Sequence, residues 1–341
     1  MSFNIALQFE DGVSRIIACN AGELVADAAY RAKINIPLDC RDGACGTCKC
    51  HCESGDYAMG NDYIEDALSD DEAAAGYVLT CQMRPTSDCV VRVPASSAAC
   101  KTEVGSHGAR LTKIGRGSPT TVSFAMQAER PLAFLPGQYV NLNVPGSKET
   151  RSYSFSSAPN QYELAFLIRD VPDGLMSTYM RSKAQVDDFL MFTGPYGNFY
   201  LRPTLRPVLM LAGGTGLAPF LSMLLWLKDN PSKQPIRLAY GVNSKADLVE
   251  LDVLDELKTS LPDFDYFTCI VDQDSAHPKL GYVTDHLLAE QLHDGNVDLY
   301  VCGPPPMVEG VRRWIASAGV APRNFYFEKF SSANETLAVA A

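Results

Sequence analysis

Histidine is scarce in this chain: five in 341 residues, scattered, with no C-x-H pair among the cysteines. A Rieske centre needs two histidines beside two cysteines, and a mononuclear non-haem iron site needs two histidines and a carboxylate. Neither is proposed from this sequence, so the chain itself is not expected to activate oxygen. Positive charge is also short, with Lys plus Arg at 29 against 40 for Asp plus Glu, a net of -11. Broad affinity for nucleic acid or an anionic membrane is therefore not expected. The opening MSFNIALQFEDGV has neither the basic n-region nor the apolar h-region of a secretory signal. A single long uncharged run exists, Pro207 to Leu227, but Pro207, Gly213, Gly214, Gly216 and Pro219 interrupt it. It reads as a buried strand, a glycine loop and a buried helix, not as a membrane span. These absences predict a cytoplasmic protein, in which eleven cysteines serve as metal ligands and bystander thiols and not as disulfides.

What is present is ordinary globular material, 46% hydrophobic and 20% charged, long enough for two or three domains. Charge is uneven. Residues 1–99 carry 15 acids and 7 bases, a net of -8, while the remainder nets -3. Alternating segments Phe3 to Phe9 and Val13 to Ala18 around Glu10-Asp11-Gly12 predict a hairpin. Gly22 to Lys33 has a helical period, and Ser69-Asp70-Asp71-Glu72 resembles a capping box opening a short helix that stops at Gly76. Tyr77 to Gln82 and Cys89 to Val93 read as strands, and Pro94 to Ala99 as a linker. From about Glu103 to Pro203 the pattern is strand-rich, with turns at Pro136-Gly137, Pro145-Gly146 and Pro172-Asp173-Gly174, which suggests a small antiparallel barrel leaving through the Gly194–Phe199 turn. From Arg206 onward apolar strands alternate with helices (strands at Val208–Ala212, Ile236–Tyr240, Asp265–Val271, Asp298–Val301 and Asn324–Phe327), the rhythm of a doubly wound parallel sheet. The expected architecture is multidomain, with domains over 1–98, 99–203 and 204–341.

Cys40, Cys45 and Cys48 are spaced C-x4-C-x2-C, and Cys81 follows in strand-like Leu79-Thr80-Cys81. This is plant-type [2Fe–2S] spacing. A tight loop supplies three thiolates and a distant strand the fourth, while Gly43 and Gly46 let backbone N–H groups curl toward the sulfurs. Structural zinc is the bland alternative, although C-x4-C is not usual zinc spacing. Lys49 after Cys48 excludes a c-type haem. A Cys45/Cys48 redox disulfide lacks the preceding βαβ unit. Cys50 and Cys52, at strand spacing, are expected to be buried non-ligands. Cys19, Cys89, Cys100 and Cys269 read as simple core or surface thiols.

Arg151-Ser152-Tyr153-Ser154 puts a guanidinium, an aromatic ring and a hydroxyl at a strand end, groups that suit a flavin pyrophosphate, ring face and edge. Asp173-Gly174-Leu175-Met176-Ser177-Thr178 leads into a helix whose N-terminus is a ready anion site, or else an ordinary cap after a turn. Leu211 to Pro219 follows an apolar strand and opens a helix, so Gly213, Gly214 and Gly216 let a dinucleotide approach the backbone; the G-x-G-x-x-G fingerprint itself is not met. Val301-Cys302-Gly303-Pro304 places a thiol at the ligand-binding edge of another strand, a core thiol if taken singly and a site residue when read beside the glycine loop.

Taken in order, these motifs resemble the ferredoxin–NADP reductase superfamily with a plant-type ferredoxin fused in front, and more narrowly the reductase components of bacterial aromatic-ring dioxygenases of the benzoate type. The resemblance spans nearly the whole chain. It implies a β-grasp ferredoxin domain of the α+β kind, an antiparallel β-barrel flavin domain and a doubly wound α/β nucleotide-binding domain. It implies that Cys40, Cys45, Cys48 and Cys81 ligate the cluster. Arg151, Tyr153 and Ser154 would hold FAD at pyrophosphate, ring face and N5 edge, with Leu167, Arg169, Met176, Ser177 and Thr178 completing its site. Gly214, Thr215 and Gly216 would take the NADH phosphates, with Cys302 near nicotinamide C4. Glu328-Lys329-Phe330 matches the family's acidic-x-aromatic ending, in which the aromatic ring shields the flavin; eleven further residues follow Phe330 here. Ser154, Cys302 and Glu328 form the implied catalytic set.

NADH over NADPH is a physical expectation. A 2′-phosphate favours Arg or Lys at the ends of the second and third nucleotide strands, which here read Tyr240-Gly241-Val242-Asn243-Ser244 and Val271-Asp272-Gln273. Asp272 repels a phosphate, with Lys245 the counterweight. Hydride delivers electrons in pairs and the cluster carries them singly, so flavin must stand between them. The implied partner is a separate oxygenase polypeptide. The alternatives are a di-iron monooxygenase of the methane or phenol type as recipient, or a non-enzymatic metal-binding module.

Overall fold

The computed structural model describes residues 2–38, 40–101 and 104–330. The expected strand-rich start at Glu103 and the tail after Phe330 lie outside those residues. By internal contacts the chain forms two compact units, Met1–Gly105 with Gly194–Asn198, and Ser106–Thr193 with Phe199–Ala341. The segment expected as the barrel's exit turn thus groups with the first unit.

In the first unit β1 (Ser2–Phe9) and β2 (Ser14–Asn20) form the expected hairpin, Gly12 taking a φ of 78° in its turn. Helix α1 (Val25–Arg31) follows, shorter than its hydrophobic period predicts. The backbone explains the trimming. Gly22 has a φ of 81°, Leu24 is extended as the N-cap, and Lys33 turns left-handed with a φ of 59°. Next come β3 (Lys49–Ser54), β4 (Tyr57–Met59), α2 (Asp70–Ala74), β5 (Tyr77–Leu79), β6 (Met83–Pro85) and β7 (Cys89–Val93). The predicted capping box is present on α2: Ser69 Oγ accepts from Glu72 N–H, and the Glu72 carboxylate accepts from Ser69 N–H. The main sheet runs β2-β1-β7-β3-β5, β1 and β7 being parallel, with α1 packed on one face: a β-grasp.

In the second unit, apart from Gly105 and the end of β13 from Gly194, β8 (Gly105–Ser118), β9 (Thr121–Leu132), β10 (Tyr139–Asn143), β11 (Thr150–Ser154), β12 (Gln161–Arg169) and β13 (Phe189–Tyr196) form a sheet in the order β11-β10-β13-β8-β9-β12, with α3 (Leu175–Ser182) after β12. A bridge between Phe155 and Phe166, and a 2.8 Å bond from Ser156 N–H to the Ala165 carbonyl, join the two edge strands. The sheet closes as a barrel around Phe124, Phe155, Phe166 and Phe192.

Beyond it, β14 (Val208–Gly213), α4 (Leu217–Asp229), β15 (Ile236–Val242), α5 (Leu251–Ser260), β16 (Phe264–Ile270), β17 (Asp298–Gly303), α6 (Pro305–Ala318) and β18 (Asn324–Lys329) form a parallel sheet in the order β16-β15-β14-β17-β18. The order reverses between β14 and β17, the switch point where such sheets bind ligands. The uncharged run 207–227 is strand, 3-10 turn and helix, buried on nearly every face. Among the described residues no helix is long and apolar enough to cross a membrane.

Candidate redox sites

The cysteine loop in the first unit is shaped by two left-handed glycines, Gly43 (φ 85°) and Gly46 (φ 70°). A Cβ at Gly43 would lie 2.4 Å from the Asp62 carbonyl, so only glycine fits there. The curl aims the backbone at sulfur: Cys45 N–H donates to Cys40 Sγ at 3.3 Å and Thr47 N–H to Cys45 Sγ at 3.5 Å. Cys81 lies not in the strand, as expected, but in the turn just past β5, where Gln82 N–H bonds the Leu79 carbonyl. That turn carries its sulfur to 3.2 Å from Cys48 Sγ, and Thr80 N–H and Oγ1 both donate to the Cys48 carbonyl.

The four thiols stand two and two. Cys40 donates toward Cys45 and draws the Cys45 thiol down to about 7, while Cys40 is itself pushed well up. Cys48 likewise donates to Cys81, raising Cys48 and lowering Cys81. Two irons sharing two sulfides require two thiolates each, and the pairing Cys40/Cys45 and Cys48/Cys81 fits that donor set. Cys48 and Cys81 are buried, and Cys45 is exposed. Cys50 is buried as expected; Cys52 is only half-buried, next to a register shift between Cys52 and Ser54.

In the second unit β11 carries Arg151, Tyr153 and Ser154 to the end of the barrel. Ser154 is buried, and Arg151 Nη1 rests on the Thr150 carbonyl (2.7 Å) and the Glu149 carboxylate (3.2 Å). Leu167 is buried in the core that continues into α4. Arg169 is exposed at the strand end. Helix α3 begins after extended Gly174, and its first-turn N–H groups at Leu175, Met176 and Ser177 are the orphans an anion can use. Two side-chain expectations need refinement. The Ser177 hydroxyl is engaged inward, accepting from Val171 N–H at 2.9 Å and donating to the Arg169 carbonyl at 3.3 Å, so its backbone is what remains. Thr178 N–H is spent on the Gly174 carbonyl at 2.8 Å, so its hydroxyl is what remains.

At the switch point the backbones come close. A Cβ on Gly216 would lie 2.2 Å from the Cys302 carbonyl oxygen, and one on Gly303 would lie 3.3 Å from Gly213 Cα. Thr215 sits between Gly214 and Gly216 in the 3-10 turn. Sheet register then assembles a constellation from distant sequence. Cys302 pairs with Ala212 on one side and with Glu328 on the other. Ser154 Oγ donates to Glu328 Oε2 at 3.3 Å. Burial first, and the Glu328 charge second, push the Cys302 thiol well up, so it stays protonated. Phe330 N–H bonds the Gly303 carbonyl at 2.9 Å, and its ring packs on the nucleotide-domain core.

Sequence reasoning missed three features here. Gly303 stands opposite Gly213. Asp170 takes Arg116 at 2.8 Å and Arg181 at 2.7 Å. The buried Arg202 guanidinium lies 3.7 Å from the Tyr200 ring centroid and 4.3 Å from that of Tyr326. Gly303 alone had a local signal, its neighbour Cys302; the others need tertiary pairing.

Three family models match in chain order: a 2Fe-2S iron-sulfur cluster binding domain over residues 8–86, an oxidoreductase FAD-binding domain over 109–200 and an oxidoreductase NAD-binding domain over 210–313. The chain is 53% identical over 334 residues to the toluate 1,2-dioxygenase electron transfer component of Pseudomonas putida, covering 97% of this chain and 99% of the relative. It is 54% identical over 338 residues to the 2-halobenzoate 1,2-dioxygenase electron transfer component of Burkholderia cepacia, covering 97% and 98%. Among solved structures, an Amycolatopsis cytochrome P450 reductase superposes with a TM-score of 0.74 at 30% identity, covering 96% of this chain and 99% of that one. The β-grasp, barrel and doubly wound expectations therefore hold, and the implied cofactors are FAD, a [2Fe–2S] cluster and NADH. The chain belongs to the family of electron transfer components in which a 2Fe-2S cluster domain precedes FAD- and NAD-binding oxidoreductase domains.

Proposed function

We propose that the chain takes reducing equivalents from NADH in pairs and delivers them singly to the oxygenase component, a separate polypeptide, of an aromatic-ring dioxygenase of the benzoate type. The observation that carries this reading is the two-and-two pairing of Cys40/Cys45 and Cys48/Cys81 in a chain that also holds the glycine-edged switch point. Bound FAD supplies the conversion of a hydride pair to single electrons, and the cluster supplies a one-electron exit. The chain's own residues do the rest. Arg151, Tyr153 and the first turn of α3 bind and orient the flavin, with Leu167 and Arg169 on the adjoining strand and Thr178 offering its hydroxyl. Gly214, Thr215 and Gly216 admit the dinucleotide phosphates. Buried Cys302 excludes water beside the nicotinamide, Glu328 holds the Ser154 hydroxyl proton, and Phe330 covers the site from the C-terminal side.

The domains take the boundaries 1–98, 99–203 and 204–341; the matched stretches 8–86, 109–200 and 210–313 fall inside them. Eleven free thiols suit a reducing, cytoplasmic setting. Reductase components of propane 2-monooxygenases are 30–31% identical to this chain, well below the dioxygenase relatives, which favours the dioxygenase partner.

The test is a visible spectrum with anaerobic NADH titration, then reconstitution with purified oxygenases. Flavin and iron–sulfur bands that bleach with NADH, and turnover with a benzoate-type oxygenase, are expected. A colourless or NADH-inert holoprotein, or turnover with a di-iron hydroxylase alone, defeats the reading.

A further inference from the structure

Thr120 occupies the two-residue turn between β8 and β9, where its N–H donates to Ser118 Oγ at 3.1 Å and its hydroxyl lies 3.4 Å from the same oxygen, and it hydrogen-bonds beyond the turn in two directions. Its carbonyl accepts from Asp170 N–H at 2.8 Å, on the loop that leads from β12 to α3. Its hydroxyl donates to Asp247 Oδ1 at 2.5 Å, in the 3-10 turn Lys245–Asp247 that follows β15. Both ends are braced. The Asp170 carboxylate, 4% exposed, receives Arg116 and Arg181. The second oxygen of Asp247 receives Ser244 N–H at 3.1 Å and Ser244 Oγ at 2.8 Å. Beside them, a Cβ at Gly117 would lie 3.2 Å from Val249 Cγ1, so the hairpin tip already abuts the nucleotide domain.

One side chain of the flavin barrel therefore reaches the loop that closes β15. In a doubly wound sheet the ribose of a dinucleotide lies at the end of the strand neighbouring the glycine loop. β15 is hydrogen-bonded to β14, which carries that loop, and Asn243, Lys245 and Ala246 are exposed there. Exposed loop residues lose conformational freedom when they grip a ligand, so a loop held in place beforehand binds more tightly. We propose that Thr120, acting through Asp247 and Ser244, is a positioning residue that holds the 243–247 loop ready for the adenosine end of NADH. The hydrogen bond is exposed, so its loss is expected to cost the fold little, which separates this role from a structural one.

The inference rests on the NADH reading above, and the parent holoenzyme is therefore assayed first. Thr120→Val removes the donor at nearly constant volume; Thr120→Ser restores it. In NADH-driven ferricyanide reduction, Thr120→Val is expected to raise the NADH KM, and the calorimetric Kd for ADP-ribose, about 3- to 10-fold. Its kcat, FAD content and Tm stay at parent values, and Thr120→Ser returns KM to the parent's. An unchanged KM and Kd in Thr120→Val, a Thr120→Ser variant as weak as Thr120→Val, or a parallel loss of FAD and Tm overturns the inference while the functional reading stands. A parent that does not oxidise NADH overturns both.

Discussion

Cys45 and Cys48 are three positions apart yet belong to different sulfur pairs, because Gly46 turns the backbone between them. The pairing makes a sharp expectation for single substitutions. Cys81→Ser removes one of the two thiolates offered to the second iron, and the iron–sulfur absorption is lost while flavin absorption stays. Cys50→Ala, one buried thiol away on β3, leaves both bands intact; a visible spectrum and an iron count distinguish the two. At the other site, Ser154 Oγ donates to Glu328 Oε2 across 3.3 Å. Ser154→Ala is expected to slow anaerobic flavin reduction at saturating NADH by about tenfold or more, read by rapid mixing, since an oriented polar contact at the reacting edge disappears. The four candidate cluster cysteines are legible in sequence because three of them fall within one short loop, whose reach the chain itself limits. Cys81 is legible as a residue but not as a conformation, since its turn is set by Thr80 gripping the Cys48 carbonyl.

At the scale of elements, the strand C-terminal ends of the nucleotide sheet carry the constraint. Gly214 has a φ of 56° and open space around it, whereas Gly216 faces the Cys302 carbonyl at 2.2 Å from a would-be Cβ. The two glycines therefore fail differently. Gly214→Ala costs about 1 kcal/mol of backbone strain. Gly216→Ala forces β17 and the 3-10 turn apart, with a cost of about 1–3 kcal/mol. The Tm is expected to fall more for Gly216→Ala, and NADH reduction of the flavin to weaken with it, while the cluster spectrum does not move. The glycines were readable from strand and helix context alone. Which of them touches Cys302 was not, because that depends on β17 lying beside β14, and parallel neighbours in a sheet are chosen by packing and not by adjacency in the chain. The trimmed α1 shows the converse case: hydrophobic period set its face, and left-handed residues set its ends.

At the scale of the whole molecule, charge is concentrated in the first third, with a net of -8 over residues 1–99. An acidic surface around a one-electron exit favours a basic docking patch on the acceptor, and such steering weakens as salt screens it. The rate of oxygenase reduction at limiting acceptor is expected to fall as ionic strength rises from 0.05 to 0.5 M (about one decade, where the Debye length shrinks from roughly 14 to 4 Å). Ferricyanide reduction, which needs no docking, serves as the control; stopped-flow traces in which both are equally salt-insensitive defeat the idea.

The amino-acid order by itself pointed to the kinds of domain, the four candidate cluster cysteines and the glycine-edged switch point. Those depend on local spacing, turn chemistry and apolar period, which act over a few residues. Only the tertiary structure decided that Ser154 meets Glu328 across 174 positions, that Cys302 lies between Ala212 and Glu328, and that Thr120 reaches Asp247 across 127. Barrel closure and strand order make those meetings, and both are settled by how buried faces fill space, a property no short stretch of chain contains.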